Sequence, residues 1–176
     1  KLEKYGVNTT LLRDENRPTT LKKRYRSKNK TLLKVSKLYQ GSINKKLSKI
    51  LVKNISDQMK DTNLIIFSDF NYGCLSNETI EEISLLAKKK NIILIADSQS
   101  SSQIGDVTKF KSMDLITPTE IEARISMKNN QDGLVVLTES LRKKSLSKNI
   151  LLKLGTDGLL IHAYNYDQEK FETDRL

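Results

Sequence analysis

Ile93-Leu94-Ile95-Ala96-Asp97, Thr117-Pro118-Thr119-Glu120-Ile121-Glu122 and Leu151-Leu152-Lys153-Leu154-Gly155-Thr156-Asp157-Gly158 decide how this chain folds. The first is a short apolar run that stops at an acid. The second follows another short apolar run, Met113–Ile116, and opens a helix. The third ends in a turn marked by two glycines. Strands that each stop at a polar, Pro- or Gly-marked turn build an α/β sheet, and such sheets bind ligands outside the carboxyl ends of their strands.

Outward from these stretches, Leu64–Phe67 reads as a buried strand and Asn91–Ala96 as the next. Helical spacing over Ile43–Met59 (Ile43, Leu47, Ile50, Leu51, Ile55, Met59) predicts a helix capped by Ser42. Further helices are predicted over Ser76–Lys89, Thr119–Lys128 and Leu134–Lys148. Asn149–Leu154 is a strand, Leu159–Tyr164 its antiparallel return, and Gln168–Glu172 a last strand. The alternation of strand and helix from Leu64 to Leu154 implies parallel strands joined by right-handed crossovers. Before this core, Lys1–Glu15 predicts a short amphipathic helix followed by a strand over Val7–Leu12. Thr19–Arg26 and Thr31–Leu38, separated by the turn-like Ser27-Lys28-Asn29-Lys30, predict a polar, exposed β-hairpin.

The 176 residues fit one domain with a core. A single cysteine excludes a disulfide framework and fits a reducing, cytoplasmic setting. No apolar run approaches the ~20 residues of a membrane span, and no secretory signal is visible. Lys1 is not expected to be a natural start, and the chain is expected to be part of a longer protein. The net charge is +10, and twelve Lys or Arg residues but no acid lie between Leu21 and Ser56. Such a field attracts phosphorylated substrates, anionic lipid or nucleic acid; the plainer reading is lysine on solvated faces. Neither an RNA-binding aromatic signature nor a zinc spacing is present, which argues against nucleic acid.

The order of several segments resembles the ribokinase (PfkB) family of carbohydrate kinases, and within it the heptose-7-phosphate kinases. Arg17-Pro18-Thr19-Thr20-Leu21-Lys22-Lys23-Arg24 is similar to a segment in which two threonines precede Lys-x-Arg, and Ser27-Lys28-Asn29 follows at the family's spacing. Ser68-Asp69-Phe70-Asn71-Tyr72-Gly73 resembles a Ser-Asp-Tyr-x-Lys-Gly loop. Asp97 matches the acid of an Asp-Pro-Lys turn, Thr117-Pro118-Thr119-x-x-Glu122 resembles Thr-Pro-Asn-x-x-Glu, and Leu154-Gly155-x-x-Gly158 resembles a Thr-x-Gly-x-x-Gly turn. The chain departs from these patterns at Tyr72, Gln99, Thr119 and Lys153.

The resemblance implies a ribokinase-like three-layer sandwich, present in part, with a mostly parallel sheet and a protruding β-hairpin lid. Residues 19–38 would be the lid and 43–176 the α/β core of a single partial domain. It implies the central part of an ATP- and Mg2+-dependent kinase acting on the anomeric hydroxyl of a heptose-7-phosphate-like sugar, and a homodimer formed through the lid. The family's catalytic base lies in a Gly-Ala-Gly-Asp turn that this sequence does not hold, so no catalytic residue is assigned and the chain by itself is expected to be inactive. The alternative is a divergent, non-catalytic module that binds a ligand or a partner.

The residues that would carry these roles can be weighed one by one. Lys22 and Arg24 share a strand face, as suits a sugar phosphate, with Ser27 and Asn29 in the adjoining turn; the alternative is a solvated edge ribbon guarded by lysine. Asp69 and Asn71 would accept and donate hydrogen bonds to sugar hydroxyls, or Asp69 simply holds its own turn. Asp97, Thr119, Lys153, Gly155 and Gly158 would face the nucleotide, the glycines by letting the backbone approach it; the alternative is a glycine hairpin. Glu122, one turn from Thr119, would organise Mg2+ through water, or the pair forms a capping box. His162 is read as structural, without partners for a triad, and Cys74 as a small packed side chain.

Overall fold

A computed structural model describes residues 2–39, 41–98 and 105–176. Two sheets are present. The first is an antiparallel ribbon of β1 (Leu21–Ser27) and β2 (Lys30–Lys37). The second has six strands in the order β3 (Leu64–Asp69), β4 (Ile93–Ser98), β5 (Leu115–Ile116), β6 (Asn149–Lys153), β7 (Leu159–Asn165) and β8 (Lys170–Arg175). β3 to β6 are parallel; β7 and β8 return antiparallel. This is the expected α/β fold with a mostly parallel sheet and a separate hairpin.

Four helices, α1 (Lys45–Gln58), α2 (Asn77–Lys88), α3 (Glu120–Met127) and α4 (Leu134–Ser145), contribute to one core. Strand periodicity decides which residues meet them. Phe67, Leu94, Ala96, Ile116, Ile150, Leu152 and Leu160 point into the core with Val52, Ile80, Ile83, Ala87, Ala123, Leu137 and Leu141 from the helices. The alternate strand residues form the other face, which no described helix covers. Leu64, Ile66 and Ile93 are 42%, 58% and 51% exposed there. Two of the three expected layers are therefore present, and Leu64–Phe67 is buried on one face only.

Several boundaries differ from the sequence reading. The predicted N-terminal helix is a single 3-10 turn, Leu2–Tyr5, ended at Gly6 with φ 70°; one turn does not repay helix nucleation without a packed face. Val7–Leu12 pairs with no strand and is irregular. Asn44, not Ser42, caps α1, its side chain accepting from the Leu47 amide at 2.9 Å. β4 begins at Ile93 because Asn91 is left-handed, with φ 56°. β5 shortens to two residues, since Asp114 uses its carboxylate to accept the Leu94 amide at 2.8 Å. The predicted helix over Leu134–Lys148 is confirmed, ending at Ser145.

Candidate functional site

The carboxyl ends of the parallel strands carry two polar clusters. The first begins at β3. Asp69, 4% exposed, accepts the Asn71 amide at 3.0 Å and so shapes its own turn. Asn71 takes a left-handed conformation, φ 58°, and donates from Nδ2 to Ser98 Oγ at the end of β4, at 3.0 Å. Lys109 completes the group: its Nζ pairs with the Asp69 carboxylate and donates to Asn71 Oδ1 at 3.1 Å. Phe70 and Tyr72 stack at 6.0 Å, and Lys22 of β1 lies over both rings, at 5.5 and 5.1 Å. The hairpin is thus fastened to the core by one of its candidate substrate residues. A cavity of about 340 Å3 opens beside Asn71, lined also by Ser42, Gly73, Ser76 and Lys109.

Gly73 makes the approach of the two segments possible. Its φ is 81°, and a Cβ there would collide with the Gly41 carbonyl. Its own carbonyl accepts the Ile43 amide at 3.0 Å. Arg17 adds a second tie, donating to the Tyr72 carbonyl and lying 5.2 Å from the centre of the Tyr39 ring.

The second cluster joins β4, β5 and β6. Asp97 Oδ1 accepts from Thr117 Oγ1 at 2.9 Å and from Lys153 Nζ at 2.6 Å. The Lys153 amide donates to the Pro118 carbonyl at 2.8 Å, and Thr119 and Lys153 form a parallel bridge. Thr119 Oγ1 accepts the Glu122 amide at 3.3 Å, and Glu122 Oε2 accepts the Thr119 amide at 2.8 Å. The capping box is therefore formed, around a glutamate only 6% exposed. Among the described residues no group of three or more His, Cys, Asp or Glu side chains could hold a metal ion. The cap holds Glu122 Oε2. Gly155 and Gly158 form a tight turn after β6 with φ of 67° and 89°. At Gly158 a Cβ would strike the Leu176 carbonyl, so this glycine serves the β7–β8 packing whatever else it does.

Arg24, Ser27 and Asn29 are not brought to either cluster. Arg24 pairs across to Lys34 on the exposed ribbon, and Ser27 and Asn29 lie at its tip, where Arg26 donates to the Asn29 carbonyl at 3.3 Å. Gln99, one of the departures, lies outside the described residues.

Two side chains differ from expectation. Cys74 is exposed, because its turn runs outside the core. His162 is buried, as a structural residue should be, but it has partners: Nδ1 is 2.7 Å from Thr173 Oγ1 and Nε2 is 2.8 Å from Glu139 Oε2. An ionised carboxylate only accepts, so Nε2 carries the proton of that bond. Hydrogen bonds from Arg142 foremost, then from His162 and Lys143, hold the Glu139 carboxyl down at about 2 against the opposing pull of burial. The ring stacks on Phe171 at 5.4 Å. These bonds tie α4 to β7 and β8.

Lys109 and Arg17 are the functional candidates that sequence reading missed. Lys109 stands in a 3-10 turn without a motif, and nothing in its neighbours distinguishes it. Ser98 lies beside Asp69 in the parallel register; its signal in the sequence is its place directly after Asp97 at a strand end.

No protein-family model matches the chain. It is 30% identical over 168 residues to the bifunctional protein HldE of Desulfatibacillum aliphaticivorans, covering 93% of this chain and 33% of that protein. It is 28% identical over 156 residues to the bifunctional protein HldE of Helicobacter pylori strain J99, covering 88% of this chain and 33% of that protein. The chain therefore spans about a third of the length of the curated relatives it matches. In fold it is similar to phosphofructokinase-2 from Escherichia coli in complex with fructose-6-phosphate, with a TM-score of 0.59 at 13% identity over 82% of this chain and 46% of that one.

Proposed function

We propose, from the membership of this chain in the ribokinase (PfkB) family of carbohydrate kinases, that it forms the sugar- and nucleotide-facing centre of a sugar-phosphate kinase. The reaction would be ATP-dependent phosphorylation of the anomeric hydroxyl of a heptose-7-phosphate-like sugar. One observation carries this reading: Asp97, Thr117, Thr119 and Lys153, from the ends of three adjacent parallel strands, meet at the sheet edge, with Lys153 2.6 Å from Asp97. Strand ends of such sheets are where ligands bind.

The roles divide between the two clusters. Asp69 and Asn71 are placed to orient sugar hydroxyls, and Lys22 to add positive charge on the hairpin side, with Arg24, Ser27 and Asn29 further along the lid. Lys153 supplies a cation, and Asp97, Thr119, Gly155 and Gly158 the polar frame, for a nucleotide. Magnesium, held by nucleotide phosphates and water near Glu122, would neutralise phosphate charge. Phosphoryl transfer requires this positioning and charge neutralisation together with a base. The sequence contains no Gly-Ala-Gly-Asp turn, so the 176-residue chain alone is proposed to be inactive and the activity to belong to the full-length natural protein. A cytoplasmic setting fits these substrates, and no described helix is long and apolar enough to cross a membrane.

The lid also has an apolar side. Leu21, Tyr25, Leu33 and Val35 share one face of the ribbon by register, with Lys23 and Lys37 between and beside them, and are all exposed. We assign this face to a second copy of the chain, as a homodimer interface. Sedimentation of the full-length protein tests it: Leu33→Asp should shift a dimer to monomer, and an unchanged mass would reject the interface.

A second reading is a non-catalytic binding or assembly module. It is favoured by the fact that each candidate acid is already satisfied internally: Asp69 by Lys109, Asp97 by Lys153 and Thr117, Glu122 by its cap. The deciding measurement is transfer of labelled phosphate from ATP to heptose 7-phosphate by the full-length protein, with Asp69→Asn as control. Turnover that Asp69→Asn reduces supports the kinase. ATP binding without turnover selects the module.

A further inference from the structure

Away from the strand ends, α2 and the segment after the 3-10 turn at Val107–Lys109 enclose a cavity of about 340 Å3. This volume is within the range of small-molecule sites. Ile80 and Leu85 give it an apolar wall, and Lys88, Lys109 and Lys111 give it charge. Glu81 also lines it and Asp69 offsets Lys109, so Lys88 and Lys111 against Glu81 leave a local excess of one positive charge.

Two features mark it as more than a gap between elements. Ser84, on the α2 wall, is 6% exposed, and its Oγ is buried without a hydrogen-bond partner. A helical serine usually returns its hydroxyl to a carbonyl one turn earlier. An unmet buried hydroxyl costs roughly a factor of ten in stability, a cost that an occupant bonding it would remove. The second feature is the state of the lysines. Lys109 is committed to Asp69 and Asn71, and Lys111 donates to the Lys144 carbonyl at 2.7 Å. The Lys88 side chain makes no hydrogen bond or ion pair among the described residues. It feels the charge of Asp114, but that carboxylate is bonded to Lys148 at 2.6 Å. Lys88 and Ser84 are one helical turn apart on the same face of α2, so an exposed cation with no bonded counter-ion and a serine whose shielded hydroxyl has no partner line the same cavity.

We propose that this cavity is a second ligand site, which takes a small phosphomonoester with an apolar body. An anionic head is drawn by the local excess of positive charge; its oxygens would accept from Lys88 and the remaining donors of Lys111, and from Ser84 once its side chain rotates toward the cavity, and its body would lie against Ile80 and Leu85. The site is separate from the strand-end clusters and does not rest on the kinase reading. Lys109 is shared between this cavity and the one beside Asn71, so an occupant would sit next to the cation that neutralises Asp69.

The test is a titration of the full-length natural protein, methyl-labelled at isoleucine and leucine, with phenyl phosphate, followed by NMR. Saturable shifts of the Ile80 and Leu85 methyl resonances are expected. Lys88→Gln should weaken that binding roughly tenfold and Ser84→Ala roughly threefold. Ser84→Ala should leave the unfolding midpoint without ligand unchanged or higher, because it deletes an unmet hydroxyl. Benzyl alcohol, which lacks the charge, should not saturate the site. Silence of the Ile80 and Leu85 methyls would overturn the proposal. So would equal affinity in both variants, or equal binding of benzyl alcohol, which would make the cavity a plain apolar crevice.

Discussion

Lys153 Nζ lies 2.6 Å from Asp97 Oδ1, although their strands are not neighbours: β5 runs between β4 and β6. β5 is only two residues long, so the lysine reaches across its carboxyl end to the acid beyond. The pair closes the sheet edge where the nucleotide is proposed to sit.

Lys153→Met should therefore separate stability from binding. The two side chains are 32% and 29% exposed, and partly exposed pairs are worth about 0.5–1 kcal/mol. Unfolding should change by no more than that. ATP affinity of the full-length protein should fall about tenfold, the loss of one charge-assisted bond. Calorimetric titration beside thermal unfolding measures both; unchanged affinity would leave Lys153 with a structural role.

Lys109→Met should be far more damaging, because it strands the Asp69 carboxylate, whose side chain is 3% exposed. Breaking a buried pair from one side costs about 3–5 kcal/mol. Adding Asp69→Asn should recover much of that loss, since the charge is then removed with its partner. A denaturant double-mutant cycle reads the coupling, and additive losses would show that the two groups do not depend on each other.

Glu139 gives a pH signature. Its carboxyl is held at about 2 in the folded chain against an ordinary value of 4.5. A lowered folded value means that the stabilisation is present above about pH 4.5 and fades as pH falls toward 2. The gap of between two and three units sets a ceiling of about 3 kcal/mol, and partial exposure of the carboxylate reduces it. Glu139→Gln should destabilise the protein at pH 7 and lose most of that effect by pH 2.5. A difference from wild type that stays constant across this window would contradict the assignment.

Glu122 distinguishes the cap from the metal. Glu122→Gln keeps an oxygen for the Thr119 amide, so the unfolding midpoint should hold, whereas Glu122→Ala should cost about 1 kcal/mol. If the charge also organises magnesium, Glu122→Gln should raise the magnesium concentration needed for half-maximal turnover of the full-length protein several-fold. A midpoint that holds together with an unchanged magnesium dependence would leave Glu122 as a helix cap alone.

Much of this architecture could be read from the residues. Apolar runs of strand length placed the ends of β3, β4 and β6 to within two residues, and the spacing of Thr119 and Glu122 offered the capping box as one of two readings. The misreadings share a cause, which is that local pattern does not report partners. Val7–Leu12 has strand-like residues, but no strand among the described residues pairs with it. His162 gains Glu139 and Thr173 only when α4 and β8 fold back on β7. Lys109 is forty positions from Asp69, and no periodicity connects them. The lid hairpin was legible from its alternation, but Lys22 settling on Phe70 and Tyr72 while Arg24 stays outside depends on how the ribbon meets the core.

The face of the six-stranded sheet that no described helix covers has a consequence for handling. Leu64, Ile66 and Ile93 present a greasy strip beside β3, and β3 is itself an edge strand among the described residues. An unshielded apolar edge is a template on which another chain can pair. Expressed by itself, the 176-residue chain would be colloidally unstable, with turbidity rising steeply with concentration and suppressed by mild detergent.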